Sequence, residues 1–182
     1  MKSKFSPWIR AALMAAVMCV LSMITVPLPG LVPFNLGILG MLLCGGLLGS
    51  AWGAVSIALY ILLGAVGLPV FSGMRGGVGA VLGPTGGYIV GYLFATMCAP
   101  MFARKKDGFW RYSAGMGLGV LVCYAFGTAW FALSQQVSVA AALVACVWPF
   151  VAVDAAKVVV AALLANRLRA TLRRAKLLPA RG

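Results

Sequence analysis

The sequence predicts an all-α membrane protein, a bundle of six transmembrane helices in one domain. Of its 182 residues, 63% are hydrophobic and only 9% are charged. A soluble domain cannot bury that much apolar surface, because charged side chains normally cover its exterior. The apolar residues also form long runs, which indicate membrane-spanning helices. We interpret residues 1–182 as a single integral membrane domain.

The basic residues cluster at the ends of the apolar runs. The net charge is +13, and Asp107 and Asp154 are the only acids. Such a charge suggests nucleic-acid binding in a soluble protein, but at membrane exits the positive-inside rule explains it better. We therefore expect a lipid bilayer as the partner surface and no nucleic acid. The five cysteines have no metal-ligand spacing and the chain has no histidine, which favours buried, unliganded thiols.

The first predicted helix covers residues 8–26 and follows a basic segment. It ends without a small-residue cleavage site and further spans follow, which favours a membrane helix over a signal peptide. Its alanines form a small-xxx-small strip that lets another helix approach closely. By itself the strip is most simply explained by packing inside the bundle. Its members are Ala11, Ala12, Ala15 and Ala16.

Residues 34–67 contain no charge and are too long for one membrane helix. A single helix would be about 51 Å long, against a hydrocarbon core of about 30 Å. Two helices, 34–48 and 51–66, with a turn near Gly49 fit better. The proline-rich segment 27–33 that precedes them is predicted to be a stiff outside loop.

A glycine-rich segment, residues 67–91, separates two apolar runs. Glycine permits positive φ and proline removes a donor, so this segment cannot be a regular helix throughout. Non-helical backbone near a bilayer survives only where protein or a water-filled cavity covers it. We interpret residues 67–83 as an extracellular loop that could line a binding cavity. Pro84 suits the first turn of the next helix, 84–103.

The last two predicted helices are 112–133 and 140–166, followed by a basic tail, 167–182. The tail and the basic loop 104–111 are both expected to be cytoplasmic. Two predicted helices separate them, so the chain crosses the membrane twice between them and returns to the same side. Both termini are then cytoplasmic and the glycine-rich loop is extracellular.

Asp154 and Lys157 stand in the otherwise apolar last helix. Ionisable residues within a span are costly and usually face the bundle interior or a cavity. Their i, i+3 spacing places them on one helix face, in the outer half of the helix. The alternative interpretation is a structural ion pair that neutralises itself.

Other polar and aromatic residues could face the same cavity. Arg75 in the glycine-rich loop is a third unusual charge, unless it is a solvated loop cation. Aromatic residues could form pocket walls or lie in interfacial belts. The set suits a small molecule with an anionic end, a hydrogen-bonding end and an apolar middle. These further candidates are Asn35, Tyr88, Tyr124, Trp130 and Trp148.

The sequence argues against an enzyme. Without histidine there is no Ser-His pair and no histidine-ligated metal site, and one intramembrane aspartate cannot form a dyad within the chain. The phosphate-binding motif GxxxxGK[ST] is missing. We therefore predict no metal or cofactor, and if transport is driven by ATP, partner subunits hydrolyse it.

Five motifs are spread over nearly the whole chain. They are PLPG (27–30), LYILLGAVGLPVFSG (59–73), LGPTGGYIVGY (82–92), Tyr124-x-x-Gly127-x-x-Trp130 and PFxxxDxxK (149–157). Together they resemble the BioY family, the biotin-binding S components of energy-coupling-factor (ECF) transporters. The pair GLPVF and GPTGGY is highly specific, whereas DxxK by itself is weak.

The resemblance implies a six-helix bundle in the bacterial cell membrane that captures biotin from outside. Uptake would require a transmembrane coupling subunit and two ATPase subunits. The resemblance places Asp154 and Lys157 in the biotin site, with Arg75 and Tyr88 as further candidates. It also makes the alanine strip similar to the docking surface for the coupling subunit. Two other hypotheses are a small homo-oligomeric channel or exporter with a glycine-rich pore, and a membrane scaffold without transport activity.

Overall fold

The described part of the chain folds into eight helices and one short β-hairpin. A computed structural model describes residues 6–27, 32–102, 108–175 and 177. The helices are α1 (Pro7–Met23), α2 (Gly37–Leu48), α3 (Ser50–Ala65), α4 (Val78–Leu82), α5 (Gly86–Cys98), α6 (Phe109–Gln135), α7 (Val139–Cys146) and α8 (Val151–Arg174). The strands are β1 (Thr25–Val26) and β2 (Phe34–Asn35), which pair antiparallel. The predicted helical class is therefore confirmed.

Helix α2 lies at the centre of the bundle and packs against α1, α3, α5 and α8. Ten of its 12 residues are buried. A helix that is apolar on all faces is expected to be buried, either inside protein or in a membrane. Glycines let its neighbours approach closely, since a Cβ added at Gly45 would collide with the backbone of Thr96. The start of this central helix forms part of the cavity described below.

The predicted break between residues 34–48 and 51–66 is confirmed. Helix α2 ends at Leu48 and α3 begins at Ser50, so a single residue, Gly49, joins them. Gly49 has φ +86°, a conformation that glycine adopts without the steric cost a Cβ would bring. The chain can therefore reverse within one residue.

Helices α5 and α6 pack closely through glycines on both partners. A Cβ at Gly87 would meet Trp130, one at Gly127 would meet the ring of Tyr88, and one at Gly115 would meet the backbone of Ala99. Small residues at such contacts set the distance between helices. The close packing holds Tyr88 in a defined position.

The predicted last helix, 140–166, is broken in the structure. Helix α7 ends at Cys146, α8 begins at Val151, and their axes are bent by 55°. Pro149 lies in the break, where it supplies no N–H and disfavours a helical conformation for the residue before it. Helix α8 then continues to Arg174, so the start of the predicted tail is helical. The alanine, leucine and arginine residues there are strong helix formers.

The connecting segments contain more regular structure than predicted. The first helix ends at Met23 rather than at residue 26, because the chain turns there into β1. The glycine-rich segment contains α4, and the next helix is confined to Gly86–Cys98 instead of 84–103. Most of the PLPG motif and residues 103–107 of the basic loop lie outside the described residues.

Contacts between helix ends show that successive long helices run in alternating directions. At one end of the bundle, Arg169 of α8 donates to the carbonyl of Gly46 at 2.9 Å, and Ser50 of α3 donates to the carbonyl of Met97 at 3.1 Å. At the other end, the start of α2 lies beside the start of α8, where Lys157 donates to the carbonyl of Asn35 at 2.7 Å. We call the first the Gly49 end and the second the hairpin end.

Helix length varies widely among the described residues. By length and composition only α6, with 27 residues, could cross a membrane alone, and α7 with α8 could form one bent span. The apolar helices α1, α2, α3 and α5 have 12 to 17 residues each.

Candidate functional site

A cavity opens at the hairpin end, between the hairpin, the glycine-rich loop and the ends of the surrounding helices. It holds about 590 Å³ of empty space, including its mouth. This figure includes the open space at the mouth, so the enclosed part of the cavity is smaller.

Aromatic side chains form much of the cavity wall. Phe34 comes from the hairpin, Phe71 from the glycine-rich loop and Phe150 from the break between α7 and α8, and four tyrosines complete the set: Tyr60, Tyr88, Tyr92 and Tyr124. Aromatic rings provide a large apolar contact area, and their hydroxyl groups add polar ends. Tyr88 and Tyr124, which the sequence singled out, both line the cavity.

The two tryptophans that the sequence offered as pocket residues are not among the cavity-lining residues. Trp130 donates through Nε1 to the carbonyl of Gly83 at 2.9 Å, and so ties α6 to the start of α5. Trp148 is 71% exposed.

Asp154 and Lys157 lie side by side in the cavity wall, on the first two turns of α8. The side chains are 2% and 7% exposed, and Lys157 Nζ is 2.8 Å from Asp154 Oδ1. The predicted common face is therefore confirmed. A carboxylate in the first turn of a helix is also favoured by the helix dipole.

Further contacts position both charged groups. Tyr124 Oη donates to Asp154 Oδ2 at 2.6 Å, so each carboxylate oxygen has a donor. Lys157 Nζ also donates to the carbonyl of Asn35 and lies 4.4 Å from the centre of the Phe34 ring. An ammonium group has three N–H donors, and two are used here. The carboxylate and the ammonium both retain capacity for a ligand.

Asn35 and Tyr88 contact the cavity while also holding its frame together. The Asn35 side chain accepts from the N–H of Gly37 at 2.8 Å, at the start of α2. Tyr88 Oη donates to the carbonyl of Cys146 at 3.0 Å, at the end of α7. Asn35 thus meets Lys157 through its backbone carbonyl rather than through its amide.

Arg75 is exposed and lies outside the cavity lining. Its carbonyl accepts from the N–H of Phe71 at 2.9 Å, which closes a tight turn. Gly73 and Met74 adopt positive φ within that turn, +72° and +56°. Phe71 is the loop residue that enters the bundle, where its ring packs edge-on against Tyr60, with centroids 5.4 Å apart.

Sequence analysis missed a second polar group in the cavity wall. Ser22 Oγ and Tyr60 Oη are 2.7 Å apart, and both residues are 1% exposed. Ser22 lies near the end of α1 and Tyr60 in the middle of α3. Tyr60 lies in the motif LYILLGAVGLPVFSG (59–73). Neither residue is charged, so neither stands out as an intramembrane charge does.

The alanine strip of α1 is divided by the fold. Ala11 and Ala15 are 0% and 2% exposed and pack inside the chain. Ala12 and Ala16 are exposed. A partner can therefore contact only the second pair directly.

Known proteins resemble this chain over most of its length. The sequence model of the BioY family matches residues 1–174. A protein named Biotin transporter BioY from Thermotoga maritima is 40% identical over 164 residues, which cover 88% of this chain and 94% of the relative. A Probable biotin transporter BioY from Pyrococcus horikoshii is 39% identical over 140 residues, which cover 77% of this chain and 82% of the relative.

A solved structure also has the same fold. It is the crystal structure of the S-component for biotin from an ECF-type ABC transporter. It superposes with a TM-score of 0.84 and 27% sequence identity, and the match covers 90% of both chains.

Proposed function

The chain belongs to the BioY family, and on that basis we propose that it captures biotin for uptake across the bacterial cell membrane, as the S component of an ECF-type transporter. The observation that carries the proposal is the buried group of Asp154, Lys157 and Tyr124 in the wall of an otherwise aromatic cavity. The family match and the structural match to a biotin S-component support the same ligand.

The ion pair fits the ureido end of biotin better than its carboxylate end. A ureido group presents N–H donors beside a carbonyl acceptor, and Asp154 and Lys157 present an acceptor and a donor next to each other. A carboxylate offers only acceptors, and Asp154 would repel it. With Lys157 only 2.8 Å from Asp154, the two residues bind the same end of an extended ligand. The fused rings then pack against the tyrosines and phenylalanines.

The carboxylate end then points toward the mouth of the cavity, where Arg75 is the available cation. Arg75 is the only basic residue between Arg10 and Arg104. Its side chain is exposed on the same turn whose Phe71 and Ser72 line the cavity. An exposed pair is worth little, up to about 1 kcal/mol. Arg75→Ala should therefore weaken biotin binding only severalfold and leave binding of biotin methyl ester unchanged.

Equilibrium binding of labelled biotin to the purified chain tests the proposal. Asp154→Asn and Lys157→Ala should each weaken binding about tenfold or more, which corresponds to about 1.4 kcal/mol. Arg174→Ala removes an exposed charge at the far end of α8 and is the matched control. Unchanged affinity in both site variants would contradict the assignment. A channel or a scaffold would not bind biotin at all.

We further propose six membrane spans, with α7 and α8 as one bent span and both termini in the cytoplasm. The alternating helix directions support this number, and the basic loop and tail support the orientation. The hairpin end, with its cavity, then faces outward.

The transmembrane coupling subunit would dock on α1 through Ala12 and Ala16, and two ATPase subunits would supply the energy. Co-purification with the coupling subunit should be lost in a variant carrying Ala12→Leu and Ala16→Leu.

A further inference from the structure

We infer that Thr25 is a positioning residue that fastens the hairpin to the glycine-rich loop, so that the seam between them is the route by which the ligand leaves the cavity. Thr25 lies in β1 and is not part of the cavity lining. It acts through the segments that it joins. The inference rests on the proposed function, because it takes biotin as the ligand that leaves the cavity.

The Thr25 hydroxyl is used to its full hydrogen-bonding capacity. Oγ1 donates to the carbonyl of Ser22 at 3.1 Å and accepts from the N–H of Gly73 at 3.1 Å. It also lies 3.2 Å from Ser72 Oγ. A hydroxyl has one donor and two acceptor positions, so with its proton directed at Ser22 it accepts from Ser72. One side-chain oxygen thus joins the end of α1, the hairpin and the loop.

Each of the two joined segments has its own anchor elsewhere. The hairpin is held by Lys157, which donates to the carbonyl of Asn35 in β2. The loop is held on α3, where Gly77 N–H donates to the carbonyl of Gly64 at 2.7 Å and the Phe71 ring occupies the space beside Gly64. Among the described residues, Thr25 is the side chain that bonds these two anchored segments to each other. When its bonds break, the segments can separate without either losing its anchor.

Both segments contribute cavity wall, which makes their separation relevant to the ligand. Phe34 and Asn35 come from the hairpin, and Phe71 and Ser72 from the loop. Thr25 is only half-buried and its bond to Gly73 is exposed. Water can therefore replace that partner, and loss of the hydroxyl should affect opening more than global stability.

Thr25→Val keeps the side-chain shape and removes the hydroxyl. Labelled biotin should dissociate from this variant roughly fivefold to tenfold faster, because the bonds of the hydroxyl to Ser72 and Gly73 no longer oppose opening and water replaces them only in part. Thr25→Ser retains the hydroxyl and should restore the original rate. Thr171→Val makes the same chemical change on α8, where the Thr171 hydroxyl donates to the carbonyl of Arg167 in the same helix at 3.4 Å, and should leave the dissociation rate unchanged. The unfolding temperature should stay constant in all three variants, which separates a positioning role from a merely structural one.

A cross-link tests the same seam by holding it closed, whereas Thr25→Val loosens it. Thr25→Cys combined with Ser72→Cys should form a disulfide under mild oxidation, since the two hydroxyl oxygens are 3.2 Å apart. Exchange of bound biotin should then slow about tenfold or more and recover on reduction. The unmodified protein, treated identically, controls for its own five cysteines.

The outcomes distinguish the two proposals. If the chain does not bind biotin, the proposed function fails, while cross-link formation still reports whether hairpin and loop are in contact. If biotin binds but its dissociation is the same in Thr25→Val, or its exchange is the same in the oxidised and reduced double variant, the role of Thr25 is wrong. Failure of the disulfide to form would contradict the geometry itself.

Discussion

At the scale of single residues, the ion pair of Asp154 and Lys157 affects both the stability of the fold and the proposed binding of the ligand. Moving two charges out of water is costly, and the cost is recovered only where additional hydrogen bonds satisfy the remaining groups. Tyr124 and the carbonyl of Asn35 supply those bonds. Removing one charge leaves the other buried and unpaired, which typically costs about 3–5 kcal/mol. A single variant therefore loses stability as well as ligand contacts.

Combining Asp154→Asn with Lys157→Met separates the two roles. Each single substitution should lower the unfolding temperature, and the double substitution should recover much of the loss, because no unpaired charge remains. Biotin affinity should nevertheless stay reduced by about tenfold or more in the double variant. Thermal unfolding in detergent and equilibrium binding measure the two effects on the same samples. A double variant that binds biotin normally would show that the pair is structural only.

At the scale of elements, the packing of α5 on α6 positions one side of the cavity. Gly127 leaves space for the ring of Tyr88, and Tyr88 in turn donates to the end of α7 at the carbonyl of Cys146. The break between α7 and α8 is thereby braced by a residue two helices away. A change at the α5–α6 contact should therefore shift Tyr88, weaken its bond to Cys146 and so alter the cavity wall.

Gly127→Ala should lower both the unfolding temperature and the affinity for biotin. A Cβ there would collide with the Tyr88 ring, which must move and so lose its bond to Cys146. Gly117→Ala is the matched control in the same helix, since a Cβ at that position would meet nothing within 4 Å. It should be neutral or stabilising by up to about 1 kcal/mol, because alanine favours a helix more than glycine does. Equal behaviour of the two variants would show that this packing does not support the site.

At the scale of the whole molecule, the alternating helices place the cavity at one end of the bundle and the basic end of α8 at the other. Lys157 contacts the hairpin, whereas Arg169 contacts the end of α2 near Gly49. If the basic end is cytoplasmic, the cavity mouth faces the source of the vitamin.

Labelling of substituted cysteines with a membrane-impermeant maleimide measures this orientation. Met74→Cys, on an exposed position of the glycine-rich loop, should react in intact cells. Asp107→Cys, in the predicted cytoplasmic loop, should react only after the cells are permeabilised. The unmodified protein gives the background from its own cysteines, four of which are buried. The reverse pattern would overturn the proposed topology.

The features that the sequence predicts well are those set by local chemistry. Helical class, the turn at Gly49 and the common face of Asp154 and Lys157 follow from apolar run length, glycine geometry and helical period. The break at Pro149 had a local signal too, and the long apolar run around it obscured that signal. The structure thereby corrects the prediction of one uninterrupted last helix.

Features that depend on tertiary contacts could not be predicted in this way. The bond between Ser22 and Tyr60 joins residues 38 positions apart, and periodicity carries no information about such a pair. Nor could the sequence show that Phe71, rather than Arg75, is the loop residue that enters the bundle. The burial of Ala11 and Ala15 but not of Ala12 and Ala16 likewise depends on where the neighbouring helices pack.

The position of α8 has a consequence for biogenesis. The ion pair belongs to α8, which follows the other seven helices of the described residues and packs against the central helix α2. Because a nascent chain emerges from its N-terminal end, the helices that form the rest of the cavity wall are synthesised before α8 and its charged pair. The vitamin therefore cannot template the insertion of the earlier helices, and a truncated translation product would contain most of the cavity without the groups that recognise a ligand.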